Sequence, residues 1–135
     1  MRRHLERFDR SDPTITFGFA IYLYKKGFED YPEALKWADY AMENRQLWQG
    51  GQDFVNKSLQ LYKLRSEIAT QIWIEHEGKY RENRTPELEA VANEARGYAK
   101  DYAREWLEYA RATKTDTTRA FNMCVSAAGT ADLCK

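Results

Sequence analysis

The stretch from Thr85 to Ala112, "TPELEAVANEARGYAKDYAREWLEYARA", leaves this chain the least freedom. Thr85 can cap free amides, and Pro86 suits the first helical position, where its missing N–H would be unpaired anyway. Glu87 and Glu89 suit the positive end of the helix dipole. Behind this start, Leu88, Val91 or Ala92, Ala95, Tyr98 or Ala99, Tyr102, Trp106 and Tyr109 or Ala110 recur at the helical period. Asp101–Arg104 and Arg104–Glu108 are placed to pair on the outer face. The helix is predicted to fade near Thr113. A helix this long and one-sided must lay its stripe on other helices, and the rest of the chain offers them.

A first helix is predicted from the Ser11-Asp12-Pro13 start to Gly27, whose residue type tolerates a left-handed cap. A second begins near Pro32 and runs to about Trp48, with a small-residue stripe of Ala34, Ala38 and Ala41, and Gly50-Gly51 breaks it. A third starts near Asp53 and is expected to end at Gly78. Val55, Leu59, Tyr62, Ala69 and Trp73 mark one face, widened by Leu61, Leu64, Ile68 and Ile72. "KYRENR" then reads as a polar loop. A shorter fifth helix spans about Thr117 to Ala128, with Ala120, Phe121, Cys124, Val125 and Ala128 on one face and Gly129 as its stop.

Composition narrows the function classes. The 135 residues suit one domain with a core of its own. Lys+Arg and Asp+Glu both number 21, so the balanced charge argues against a non-specific grip on nucleic acid or anionic membrane. The start, "MRRHLERFDR", leans basic and reads as a frayed terminus rather than a binding arm, and it lacks the apolar run of a signal peptide. No stretch approaches the ~20 apolar residues of a membrane span.

"FAIYLYKKGFEDYPEALKWADYAMEN" resembles a tetratricopeptide-type repeat, or its Sel-type relative. In that family a small residue of one helix packs on a small residue of the next, and Ala20 and Ala34 match those positions. Phe19, Leu23, Ala38 and Ala41 fall on the other signature positions. The turn "GFEDYPEA" is about two residues longer than the family pattern. A second, stretched unit places Ala69 and Ala95 in the small-on-small roles, 26 residues apart against 14 for Ala20 and Ala34. The resemblance implies an all-α, right-handed stack of two antiparallel helical hairpins closed by a short C-terminal capping helix. A plain helical bundle is the alternative. The whole, residues 1–135, reads as a single helical-repeat domain: hairpins at 11–48 and 52–112, then a capping helix and cysteine-containing tail at 113–135. In the family the groove face binds peptides. The matching positions here are Phe17, Ile21, Tyr24 and Lys25 in the first helix, and Ser66, Thr70, Trp73 and Ile74 in the third.

The residues that could carry chemistry are few. Cys124 and Cys134 are close enough in sequence to pair if the tail returns after Gly129. A bond would imply an oxidising compartment, periplasmic or secreted. The other reading is two reduced thiols, with Cys124 a small apolar core residue. They make a poor zinc site, because no His or third Cys lies nearby. His76, in "EHEG", is expected at the end of the third helix, where a cation suits the dipole. Glu75, His76 and Glu77 point in different directions on a helix, which disfavours a metal or acid–base role. The chain has no Gly-rich phosphate loop, Gly-x-Ser-x-Gly or two-histidine zinc motif. Asn56-Lys57-Ser58 and Asn83-Arg84-Thr85 match the glycosylation tripeptide, a pattern common by chance.

The expectation is therefore a non-enzymatic module without cofactor or metal. It binds a protein or peptide partner in an aromatic-lined groove built from Phe17, Ile21, Tyr24, Lys25, Thr70 and Trp73. The alternative is a structural subunit that self-assembles or docks through the apolar end of its stack.

Overall fold

The computed structural model describes residues 11–49 and 53–135, and these are all-α. The basic start and the Gly50-Gly51 break lie outside the described residues. The helices are α1 (Pro13–Lys26), α2 (Tyr31–Glu43), α3 (Phe54–Glu82), α4 (Pro86–Ala112) and α5 (Thr118–Ala128). The chain divides into two compact units, up to Arg65 and from Ser66 to Lys135, and α3 contributes to both.

In the first unit the Asp12 carboxylate accepts from the Thr14 amide at 2.9 Å and the Ile15 amide at 3.4 Å, and Pro13 opens α1. Gly27 ends α1 with φ +127° and ψ −176°, a positive-φ conformation reserved for glycine, though not the left-handed helical cap expected. The long turn is filled by a 3₁₀ segment, Phe28–Asp30, in which the Asp30 amide donates to the Gly27 carbonyl at 3.0 Å. α2 stops at Glu43, earlier than the sequence suggested. The Asn44 amide group donates to the Tyr40 carbonyl at 2.9 Å, and Arg45–Trp48 tighten into a 3₁₀ turn.

The core of this unit is Ala20, Leu23, Ala34, Trp37, Ala38, Ala41 and Leu61, none of which reaches solvent. Small residues let α1 and α2 approach closely, and the bulk of Leu23 and Trp37 fills the remaining space. The Phe19 ring meets the Trp37 indole edge-on at 5.0 Å, and the indole N–H donates to Glu33 at 3.2 Å. Buried Arg65 on α3 pairs with Asp39 on α2 through a 2.9 Å contact. The Trp48 N–H donates to the Thr14 hydroxyl at 2.9 Å, tying the 3₁₀ turn to the start of α1.

In the second unit α3 runs past Gly78 to Glu82, so neither the expected stop nor the polar loop "KYRENR" is realised. Gly78 takes helical backbone, at about 1 kcal/mol relative to alanine. The real stop is imposed by Pro86, which holds Thr85 extended at φ −103°, ψ 154°. The Thr85 hydroxyl accepts from the Leu88 amide at 3.2 Å, and the Tyr80 hydroxyl donates to Glu89 at 2.6 Å, fastening the corner. His76 is consequently inside the helix, away from its end, which removes the dipole argument made for it.

α4 buries Ala92, Ala95, Ala99, Ala103, Trp106, Leu107 and Ala110. Against this stripe α5 lays Ala120, Cys124 and Ala127. Gly129 ends α5 in the left-handed conformation, φ +80°. Cys124 and Cys134 are disulfide-bonded, with Cα atoms 6.0 Å apart, so the bonded alternative is the one realised. The tail is held a second time by Arg111, whose guanidinium donates to the Cys134 carbonyl at 2.9 Å and the Lys135 carbonyl at 3.0 Å.

Candidate interaction surfaces

Phe17, Ile21, Tyr24 and Lys25 belong to the first unit, Thr70 and Trp73 to the second. Phe17, Ile21 and Tyr24 are half-buried on one face of α1, and Lys25 is exposed. The Phe17 ring lies 6.0 Å from Trp48, and the Tyr24 ring 5.2 Å from Tyr31. These aromatics thus have intramolecular partners and are only partly open to solvent.

Trp73 sits in a different setting from a groove wall. It packs with Tyr102 on the buried cluster Ala69, Ala99 and Ala127, and the Arg96 guanidinium lies 5.7 Å above its ring. The same guanidinium donates to the Ala127 carbonyl at 2.6 Å, satisfying a free acceptor at the end of α5. Arg96 therefore joins α3, α4 and α5 at one point. The Thr70 hydroxyl and the Trp73 indole N–H are buried without hydrogen-bond partners.

In the second unit Ile72 and His76 of α3 and Val91, Glu94, Ala95 and Tyr98 of α4 line an open groove of about 180 Å³. Val91 is 42% exposed and Tyr98 54%, although each is large and apolar. Burial lowers the His76 pKa from its ordinary value, nearby Lys79 adds to the effect, and Glu75 opposes it. Further along α4, Asp101, Arg104, Glu105 and Glu108 border a second, shallower depression of about 340 Å³.

The sequence left Val91 or Ala92, Tyr98 or Ala99, and Tyr109 or Ala110 undecided as core residues. In each pair the alanine is inside, and Val91 and Tyr98 are turned to solvent. The missed signal was the alanine run 92, 95, 99, 103 at helical spacing, continued past Trp106 by Ala110, which marks a face built for close helix approach. Among the described residues no group of three or more His, Cys, Asp or Glu is placed to hold a metal ion, and no helix is long and apolar enough to cross a membrane. Compared with known proteins, the chain matches no family model, no curated protein and no solved structure.

Proposed function

We propose that this chain is a protein-interaction module that holds a segment of a partner chain in the α3–α4 groove, without catalysing a reaction. One observation carries the reading: Val91 and Tyr98 flank an open, mainly apolar groove on a helix whose adjacent alanine face is buried. Large apolar side chains beside a concavity are the anchors that helix-in-groove recognition employs. The tetratricopeptide resemblance supports the same class, since the small residues at its signature positions, Ala20 and Ala34, are both fully buried in the first hairpin. The disulfide fits an oxidising compartment.

The competing outcome is self-assembly through the same surface. A helical peptide library panned against the chain tests the reading. Selected peptides should bind monomeric protein and lose about tenfold in affinity on Tyr98→Ala, as truncating one anchor costs ~1–2 kcal/mol. A dimer by light scattering that Tyr98→Ala converts to monomer would instead establish self-assembly.

A further inference from the structure

The segment after Gly129, residues 130–135, carries one large apolar side chain, Leu133, and it stays 51% exposed. Apolar burial of that residue does little to seat the segment on the helices. The segment is seated by the Cys124–Cys134 bond and by the Arg111 guanidinium of α4, which donates to the Cys134 carbonyl at 2.9 Å and the Lys135 carbonyl at 3.0 Å. These charge-assisted bonds fall on the bridge residue itself and its neighbour. The ion pair between Lys135 and Asp132, 3.5 Å apart within the tail, is exposed on both sides and adds little. Seated this way, the tail closes the bridge off. Cys124 is 0% exposed and Cys134 2%. The cleft beside Cys134, lined also by Arg104, Leu107, Glu108 and Arg111, encloses about 70 Å³. That is room for about two waters at ~30 Å³ each, and too little for a thiol reagent.

We infer that Arg111 is a latch controlling thiol access to the Cys124–Cys134 bond. The bridge is closed to exchange while the guanidinium holds the tail, and it opens when the tail lifts, without unfolding of the helices. The reaction partner is a dithiol. One of its thiolates attacks the Cys134 sulfur, a mixed disulfide forms, and the Cys124 thiolate leaves. The second thiolate of the reagent then attacks the reagent's own sulfur in the mixed disulfide. The reagent closes into a cyclic disulfide and the Cys134 thiolate is released. Two electrons pass from reagent to protein, and the cysteine thiolates take up protons from water. Arg111 still holds the tail afterwards, so the latch sets the rate of reduction rather than the reduced fold. The inference is independent of the α3–α4 groove.

The test follows reduction of the full oxidised chain by dithiothreitol, with alkylation as the quench and mass spectrometry counting the thiols. Without urea the bridge should be reduced at least about a hundredfold more slowly than in the same chain unfolded in urea. The rate should rise only slightly across urea concentrations below the unfolding transition, because lifting a short tail exposes little surface. Arg111→Met should speed reduction about fivefold, and Arg111→Lys should fall between it and the parent. Lys135→Gln, which removes only the exposed ion pair, should change the rate by less than about twofold. Reduction as fast as in the unfolded chain would overturn the closed bridge. A rate that climbs with urea as steeply as global unfolding would overturn the local opening. An Arg111→Met acceleration below about twofold, or no larger than its loss of unfolding stability accounts for, would overturn the latch.

Discussion

Breaking the Cys124–Cys134 bond should weaken the second unit by an amount the chain length sets. The bridge joins residues 10 apart in sequence. On the chain-entropy model, closing a loop of that size removes about 2.7 kcal/mol of unfolded-state freedom at 25 °C. The folded state loses little in compensation. Cys134 is buried, and the Arg111 guanidinium still reaches the carbonyls of Cys134 and Lys135. Reduction should thus leave the native helices in place and act chiefly on the unfolded ensemble. With a urea slope of about 1.5–2 kcal/mol per molar, the midpoint should fall by roughly 1.5 M. The slope itself should rise slightly, because the reduced unfolded chain is more expanded. Urea titrations with and without a phosphine reductant, followed by circular dichroism, measure both quantities, and thiol titration confirms reduction. A fully reduced chain whose midpoint shifts by less than about 0.3 M would refute the reasoning. It would mean that the tail is already ordered in the unfolded state, or that its docking contributes nothing.

Arg96→Met should cost about 2 kcal/mol in urea unfolding, from a charged hydrogen bond to Ala127 and a cation–ring contact with Trp73, and Arg96→Lys should recover part of it. Two glycines should respond oppositely. Gly78→Ala should raise stability by about 0.5–1 kcal/mol, since it is helical and a Cβ there meets nothing within 4 Å. Gly129→Ala should lower stability by about 1–2 kcal/mol, because φ is +80° and the new Cβ would lie 2.9 Å from the Arg96 Nη2. His76 has a lowered folded-state pKa, so its neutral form is favoured by the fold. That stability is present above the unfolded imidazole pKa and is lost as pH falls through the folded value. Unfolding at pH 7 and pH 5 should show a loss on acidification that is smaller in His76→Gln.

Local chemistry was readable where one residue type has one physical use. The Asp12-Pro13 and Thr85-Pro86 starts and the Gly129 stop are in place because caps and positive φ depend on the immediate neighbours. Gly78 was misread for the same reason in reverse. Glycine permits a stop without enforcing one, and the stop came from Pro86, with Tyr80 and Glu89 holding the corner. The third-helix face was only partly right. Leu61, Leu64, Ile68 and Ala69 are buried, while Val55, Leu59, Tyr62 and Trp73 stay partly exposed. Periodicity names a stripe but does not say which of two flanking neighbours presses on it.

That limit also explains why the α3–α4 groove was illegible. Hydrophobicity ranks Val91 above Ala92 and Tyr98 above Ala99, so burial by apolar bulk alone would place the larger residues inside. Close packing with α5 reverses the choice, because a helix carrying Ala120, Cys124 and Ala127 can approach α4 only over alanines. The larger side chains are displaced to the flank, and the flank becomes the surface. The apolar anchors of the proposed docking site are thus a consequence of how tightly α5 seats. A substitution that loosens that seat, such as Ala99→Leu, should disturb the groove and the fold together. Tyr98→Ala, one position away and exposed, should weaken peptide binding about tenfold while leaving the unfolding free energy within about 0.5 kcal/mol of the parent. If instead Tyr98→Ala proved as destabilising as Ala99→Leu, Tyr98 would belong to the core, and the groove would lose its principal anchor.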